Sequence, residues 1–199
     1  MPPKAVGPIS LRDRQKAQTR EHLLDVSAAL FADKGYSETT IEDIARAAGS
    51  SRATVYSYFS TKEDILRTLS VEMWETTEGI YRAFAKLPEW SAAAIRGWLE
   101  DVTAEWDRTL VRVRVVIESR SRDLNDDYLR YHRKFVRTLT GDKQRWGRFS
   151  PAEAEVRALL LIGQMETFFG NWYIRGWKMD RATVLDTLTD VWCATLKVD

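Results

Sequence analysis

Arg52, Thr54, Tyr56, Ser57 and Tyr58 crowd five hydrogen-bonding side chains into seven residues. An arginine fork can donate two parallel bonds to one base edge, and hydroxyls suit phosphate oxygens. Ala53, among them, is small enough to let a backbone approach a base edge or a thymine methyl. The chemistry implied is recognition rather than bond-making. Other reactive types are sparse: His22 and His132 are the two histidines, Cys193 is the one cysteine, and no HExxH pattern, nucleophile motif or glycine-rich phosphate loop occurs. A single cysteine rules out an intrachain disulfide, a CxxC pair and a cysteine zinc cage. No catalytic residue, metal or cofactor is therefore expected. His22 reads as an exposed or packed helix residue, and Cys193 as a small apolar one with redox sensitivity as the alternative.

To work together, the five groups must share a face of a short, rigid element. Ser51 can cap a helix from Arg52 to Phe59, in which Val55 and Phe59 lie one turn apart and can anchor it to Ile44, Ala45 and a preceding helix. Thr40, followed three residues later by Asp43, predicts a capped helix over Ile41 to Ala48, closed by Gly49. Before it, Leu23, Leu24, Val26, Ala28, Leu30 and Phe31 form a helical stripe from Thr19 to Lys34, stopped by Gly35. After it, Thr61 and Asp64 start a helix carrying Ile65, Leu66, Leu69 and Met73 on one face. Two short helices joined by Gly49, Ser50 and Ser51 fit a DNA-binding helix-turn-helix from roughly Thr40 to Phe59, and Ser50 counts among its DNA-facing positions.

The rest of the composition sets bounds on that reading. Hydrophobic residues make up 44% of the 199 and charged residues 30%, ordinary for a mostly helical globular chain. The formal charge of +1 gives no global pull toward a polyanion, so binding must rest on local charge. Locally there is a shortfall: between Arg20 and Asp64 the bases Arg20, Lys34, Arg46, Arg52 and Lys62 are outnumbered by acids. Residues 1–18, with three prolines and Arg12, Arg14 and Lys16 against Asp13, read as a flexible basic arm. Together with Arg20 it could reach phosphates or the minor groove, or remain a solvated tail. Met1 to Ile9 lacks an apolar signal core, and apolar stretches such as Ala158 to Ile162 are too short to span a bilayer, so a cytoplasmic location without a membrane partner is expected.

The stretch LLDVSAALFADKGYSETTIEDIARAAGSSRATVYSYFSTKEDIL resembles the DNA-binding domain of the tetracycline-repressor (TetR) family of bacterial regulators over residues 19–66. The resemblance implies that Thr40 touches a phosphate, although its cap role needs no DNA. It implies that Arg52, Ala53 and Thr54 read base edges, that Tyr56 and Tyr58 contact phosphates unless one ring packs between helices, and that Lys62 pairs with a phosphate. It further implies a ligand-responsive regulator of double-stranded operator DNA, most simply a repressor.

Beyond residue 80 the pattern stays helical, with breaks at Leu87 to Glu89 and near Asp123 to Asp127, a strong helix start at Ser150, Pro151 and Glu153, and a final helix from Arg181 to Lys197. No segment alternates long enough for a strand. The expected fold is all-α with about nine helices: a three-helix reader over 19–66 and a larger helical domain over 67–199. All eight tryptophans fall in the second domain. Core filling must account for most of its aromatics. The family resemblance adds a small-molecule effector pocket there, for which Trp98, Trp106, Met165, Glu166, Phe168, Phe169, Trp172 and Tyr173 are candidates, with Gln164 beside them. Glu166 could face a cationic ligand, pair with an arginine or point to solvent. The excess of bases from Asp107 to Arg148 could favour an anionic effector, although exposed arginines are common.

The last two helices resemble the family's homodimer bundle, implying an interface of Gly163, Gly170, Leu185, Leu188, Trp192 and Leu196; internal packing in a monomer is the competing view. Two readers about one DNA turn apart would suit a pseudo-palindrome, and the helix running from Lys62 past Met73 and Trp74 is the expected lever. A small-molecule enzyme and a helical sensor or scaffold without operator binding remain as alternative functions.

Overall fold

The computed structural model describes residues 10–119 and 125–198. Helices account for its regular structure: α1 (Leu11–Lys34), α2 (Ile41–Ala47), α3 (Arg52–Tyr58), α4 (Lys62–Ala85), α5 (Ala92–Ser119), α6 (Asn125–Leu139), α7 (Lys143–Trp146), α8 (Pro151–Phe169) and α9 (Arg181–Leu196), with a π-helical turn at Gly170–Ile174. No strand occurs among the described residues, as the lack of alternation predicts. The chain divides into two compact units, Met1–Leu69 and Ser70–Asp199. The division falls three residues beyond the expected boundary and inside α4, which runs unbroken through it.

Most of the local signals act as their chemistry dictates. Thr40 and Asp43 form a reciprocal capping box, each side chain taking the other's backbone N–H. Thr61 and Asp64 do the same at the start of α4. Ser51 and Ser150 cap α3 and α8, the latter with Pro151 in the first turn. Gly35 and Gly49 stand at φ +91 and +61, conformations that a Cβ would strain.

The first helix departs from expectation. Residues 11–18 are not an arm but the first two turns of α1, because Ser10 accepts the Asp13 N–H and so provides an N-cap well before the apolar stripe begins. Arg12, Arg14 and Lys16 are therefore exposed side chains of a helix. Residues 1–9 of the expected arm lie outside the described residues.

The first unit buries Leu23, Leu24, Ala28 and Phe31 of α1, Ile44 and Ala45 of α2, Val55 and Phe59 around α3, and Ile65, Leu66 and Leu69 of α4. The second unit buries an aromatic core: Phe84 meets Trp98 and Trp192 edge-on at 5.0 Å each, Tyr81 meets Phe135 at 5.5 Å, and Trp106 and Phe169 both pack on Tyr173. Most of the aromatics are thus core, the default that helical spacing favours.

Candidate nucleic-acid interface

Helix α3 is a two-sided element. Val55 is fully buried and Phe59, its C-cap, is nearly so, whereas Arg52, Ala53, Tyr56 and Ser57 are exposed and Thr54 and Tyr58 are half-buried. Anchoring residues four apart turn the intervening side chains outward, because one helical turn separates successive positions on a face. The turn before it depends on Gly49 at positive φ and on Ser50, whose N–H reaches back to the Ala45 carbonyl at 2.9 Å. The Ser51 and Thr54 hydroxyls lie 2.9 Å apart, and Ser57 donates to the Thr54 carbonyl at 2.7 Å. Tyr56 is the most open of the aromatic positions here, at 53% exposure, while Tyr58 is half-buried.

The cations of this unit are more engaged than the sequence suggests. Lys62 lies over the Tyr36 ring, 4.4 Å from its centroid, and donates to the carbonyls of Tyr36, Ser37 and Thr39 at 2.7, 3.3 and 3.0 Å. An ammonium has three donors, so these bonds occupy all of them. Arg20 stacks on Phe59, 5.3 Å from its centroid, and donates to Thr68 at 3.3 Å. Lys34 pairs with Asp43 at 2.6 Å, and that hydrogen bond, with those of Thr40, holds the Asp43 carboxyl far below the usual carboxylate range. Arg46 reaches the same acid at 3.5 Å. Arg52 donates through Nη1 to Glu42 at 2.7 Å, which lowers the Glu42 carboxyl and raises the guanidinium further. Thr40 is exposed but shares its hydroxyl with Asp43. Glu42 is the neighbour of Arg52 that sequence reading misses: it stands ten residues away, and the turn that joins them is not visible in a helical pattern.

The second unit separates the candidates for a ligand site. Of these, Trp98 alone borders a groove of about 280 Å³ between α4 and α5, with Ile80, Ala83, Asp101, Val102 and Glu105. Met165 and Phe169 are buried, and Trp106, Phe168, Trp172 and Tyr173 pack against the core. Tyr173 donates to the Thr103 carbonyl at 3.3 Å, and burial, first, with Asp107 raises its phenol to about 12. Glu166 meets none of its three expected fates alone: it bonds His132 at 2.9 Å and takes the Tyr128 hydroxyl at 3.3 Å. Gln164 keeps a buried, unpartnered Oε1. Six cations of the basic run form ion pairs, Arg108 with Glu105, Arg112 with Glu72, Arg114 with Glu118, Arg130 with Asp127, Lys134 with Glu78 and Arg145 with Asp142, so an anion would compete with these carboxylates for them. Arg120 and Arg122 lie outside the described residues.

The expected dimer residues need correction. Leu185, Leu188, Trp192 and Leu196 are at most 4% exposed, because they face the chain's own core against α5 and α8, and no partner could reach them. The outward faces carry instead Val156, Leu159 and Leu160 of α8 and Val191 of α9, at 41 to 64% exposure. Gly163 and Gly170 continue the stripe of Val156 and Leu160 at helical spacing, and a Cβ on either would meet open space. Cys193 is half-buried, its thiol raised by burial and by Asp190. Among the described residues no cluster of three His, Cys, Asp or Glu could hold a metal, and no helix is long and apolar enough to cross a membrane.

Comparison with known proteins places this geometry. Residues 23–69 match the family model described as bacterial regulatory proteins, tetR family. The chain is 41% identical over 68 residues to the HTH-type transcriptional regulator AcrR of Shigella flexneri, covering 34% of this chain and 30% of that one. It is 37% identical over 67 residues to the HTH-type transcriptional repressor KstR2 of Rhodococcus jostii, covering 34% and 33%. The match thus spans about a third of the length of these curated relatives. Along almost the whole chain the fold is that of the TetR family transcriptional regulator PfmR from Thermus thermophilus, with a TM-score of 0.67 at 19% identity over 88% of this chain and 97% of that one. The capped α2, the positive-φ glycine turn and the two-sided α3 all lie inside the matched residues, so residues 23–69 are a DNA-binding domain of the kind found in bacterial regulatory proteins of the tetR family, and the helical second unit shares the fold of those structures.

Proposed function

We propose that the chain is a ligand-responsive transcriptional regulator rather than an enzyme: a cytoplasmic homodimer that holds a pseudo-palindromic operator and releases it when a small apolar or amphipathic effector binds the second unit. The observation that carries this reading is α3, anchored by buried Val55 and Phe59 and presenting Arg52, Ala53, Thr54 and Tyr56 outward. Arg52 would read a base edge, Ala53 and Thr54 its neighbours, and Tyr56, Ser57 and Tyr58 the adjoining phosphates. Ser50 and Thr40 stand at the ends of α2, where hydroxyls and backbone N–H groups can meet the backbone of the duplex. Arg12, Arg14 and Lys16, on the exposed start of α1, supply the phosphate attraction that the inner cations do not.

The same reading gives Lys62 and Arg20 a different part from the one expected. Both hold the reader together, and any phosphate contact would compete with bonds they already make. Dimerisation would use Val156, Leu159, Leu160, Gly163 and Val191, small and apolar residues on open helix faces. The groove beside Trp98 is the opening that supports effector binding; Ile80, Ala83 and Val102 line it, with Asp101 and the Glu105–Arg108 ion pair at its edge, a lining that suits a small apolar or amphipathic molecule. Helix α4, continuous from Lys62 to Ala85, supplies residues to both units and is the candidate lever.

The test is binding of the purified chain to labelled duplexes, first to a random pool and then to the enriched sequence. Enrichment of an inverted repeat bound by two chains is expected. Equal affinity for every duplex would overturn the reading in favour of a helical sensor or scaffold without operator specificity.

A further inference from the structure

Arg52 does not stand free on the reading face. Its Nη1 is held by Glu42 Oε1 at 2.7 Å, with the two side chains 65% and 48% exposed. Among the described residues neither Nε nor Nη2 has a partner. A guanidinium is planar, and its Nε–H and Nη2–H lie side by side on one edge. That edge is the one that can take the O6 and N7 of a guanine together. The backbone that carries Glu42 is fixed. Glu42 is the second residue of α2, whose start is locked by Thr40 and Asp43, while Asp43 is occupied by Lys34 and the cap. Of the two adjacent acids, then, one builds the helix end and the other grips the arginine.

We propose that Glu42 is a positioning residue for base readout, holding Arg52 by Nη1 so that its Nε and Nη2 edge is presented to a guanine. This rests on the DNA-reading function proposed above. The arrangement also gives a use to one of the acids that outnumber the bases in the reader. A carboxylate near the duplex weakens attraction to every phosphate, so it lowers binding to all sequences alike. By pre-ordering a long, flexible side chain, it raises the return from the one correct base. Glu42 thus exchanges general affinity for discrimination, a device that works by penalising the wrong partner.

The experiment uses the full chain and a duplex enriched from a random pool by the wild type. Affinities of the wild type, Glu42→Gln, Glu42→Ala, Arg52→Ala and the Glu42→Gln/Arg52→Ala pair are measured by anisotropy, for that duplex, for its single-base variants and for an unrelated duplex, across a salt series. Thermal unfolding checks that each variant is folded; Gln preserves the shape at position 42, and an exposed ion pair contributes little to stability. The expected result for Glu42→Ala is a loss of about ten-fold in discrimination at one guanine, with a smaller loss for Glu42→Gln, whose Oε1 can still accept from Nη1. Binding to the unrelated duplex should be equal or tighter, with a salt slope steeper by up to about one. Arg52→Ala should lose the same guanine, and in its background Glu42→Gln should change nothing there.

Full discrimination retained by Glu42→Ala, which removes the acceptor altogether, would reduce the pair to an ordinary surface contact and overturn the proposal. Tighter binding to the enriched duplex with unchanged discrimination would make Glu42 a lock on Arg52, and a loss that persists without Arg52 would make Glu42 a base contact in its own right; either result overturns it. If the wild type enriches no sequence, the reading function falls and the proposal with it. That failure differs visibly from a wild type that selects a site which Glu42→Ala still recognises with full discrimination.

Discussion

Lys62 separates two roles that residue type alone cannot. A lysine just inside a helix start beside a DNA reader invites a phosphate contact, yet this one spends its donors on the carbonyls of Tyr36, Ser37 and Thr39, with its charge over the Tyr36 ring. Those carbonyls belong to the turn between α1 and α2, so the lysine pins the start of α4 to that turn. Lys62→Met removes the donors and leaves partly buried acceptors behind, at a cost of roughly 1–2 kcal/mol. The expected outcome is a lower melting temperature with little change in the salt slope of DNA binding in the cold. A slope shallower by about one, with unchanged melting, would instead assign Lys62 to a phosphate. Arg52 behaves in the opposite sense. Its ion pair is exposed, so Arg52→Ala should leave melting nearly unaltered while reducing affinity for the preferred duplex about ten- to a hundred-fold relative to its guanine variants.

At the scale of elements, the reader's ends are legible in sequence because caps are local: a Thr and an Asp three residues apart satisfy orphan backbone groups whatever the rest of the chain does. Ser51, Thr61 and Ser150 are legible for the same reason. What escapes the sequence is long-range. Glu42 meets Arg52, and Lys62 meets the Tyr36 turn, only after two turns have folded, and no period of 3.6 encodes that. The start of α1 escapes too, because apolar spacing begins at Leu23, while Ser10 and Asp13 cap a polar stretch that no stripe marks. The caps carry a pH signature. Asp43 is held well below its ordinary carboxylate range, first by Lys34 and then by Thr40, so its contribution is present above about pH 4 and is lost as the pH falls through the folded value. Protection of α2 amides from exchange, taken relative to the intrinsic rate at each pH, should therefore fall below about pH 4 more than that of α5, and Asp43→Asn should flatten that difference. Gly49→Ala tests the turn itself. Its Cβ would find open space, so the cost is that of the +61 φ alone, about 1 kcal/mol, read as a modest fall in melting temperature.

For the whole molecule, the decisive distinction is between apolar residues that fill a chain's own core and those that it leaves outside. The last two helices are apolar on more than one face, and the sequence does not say which face turns inward, since Leu188 and Leu160 look alike in composition. Burial separates them: Leu188 is 3% exposed and Leu160 is 64% exposed. Their substitutions should therefore fail in different ways. Leu188→Ala removes methyl groups from a packed core beside Trp192 and should cost about 2–5 kcal/mol of stability, lowering the melting temperature at any protein concentration. Leu160→Asp removes nothing from that core. It places a charge on the stripe of Val156 and Gly163, so it should leave a folded chain while breaking the proposed dimer. Sedimentation should show the wild type as a dimer at micromolar concentration and Leu160→Asp as a monomer of native helicity. Operator affinity should then fall by about 10² to 10⁴, because a second reader held by the first acts at high effective concentration and a free one does not. If Leu160→Asp stays dimeric and binds normally, the readers are paired through some other face; if it unfolds, Leu160 belongs to the fold and the outward stripe does not mark the interface.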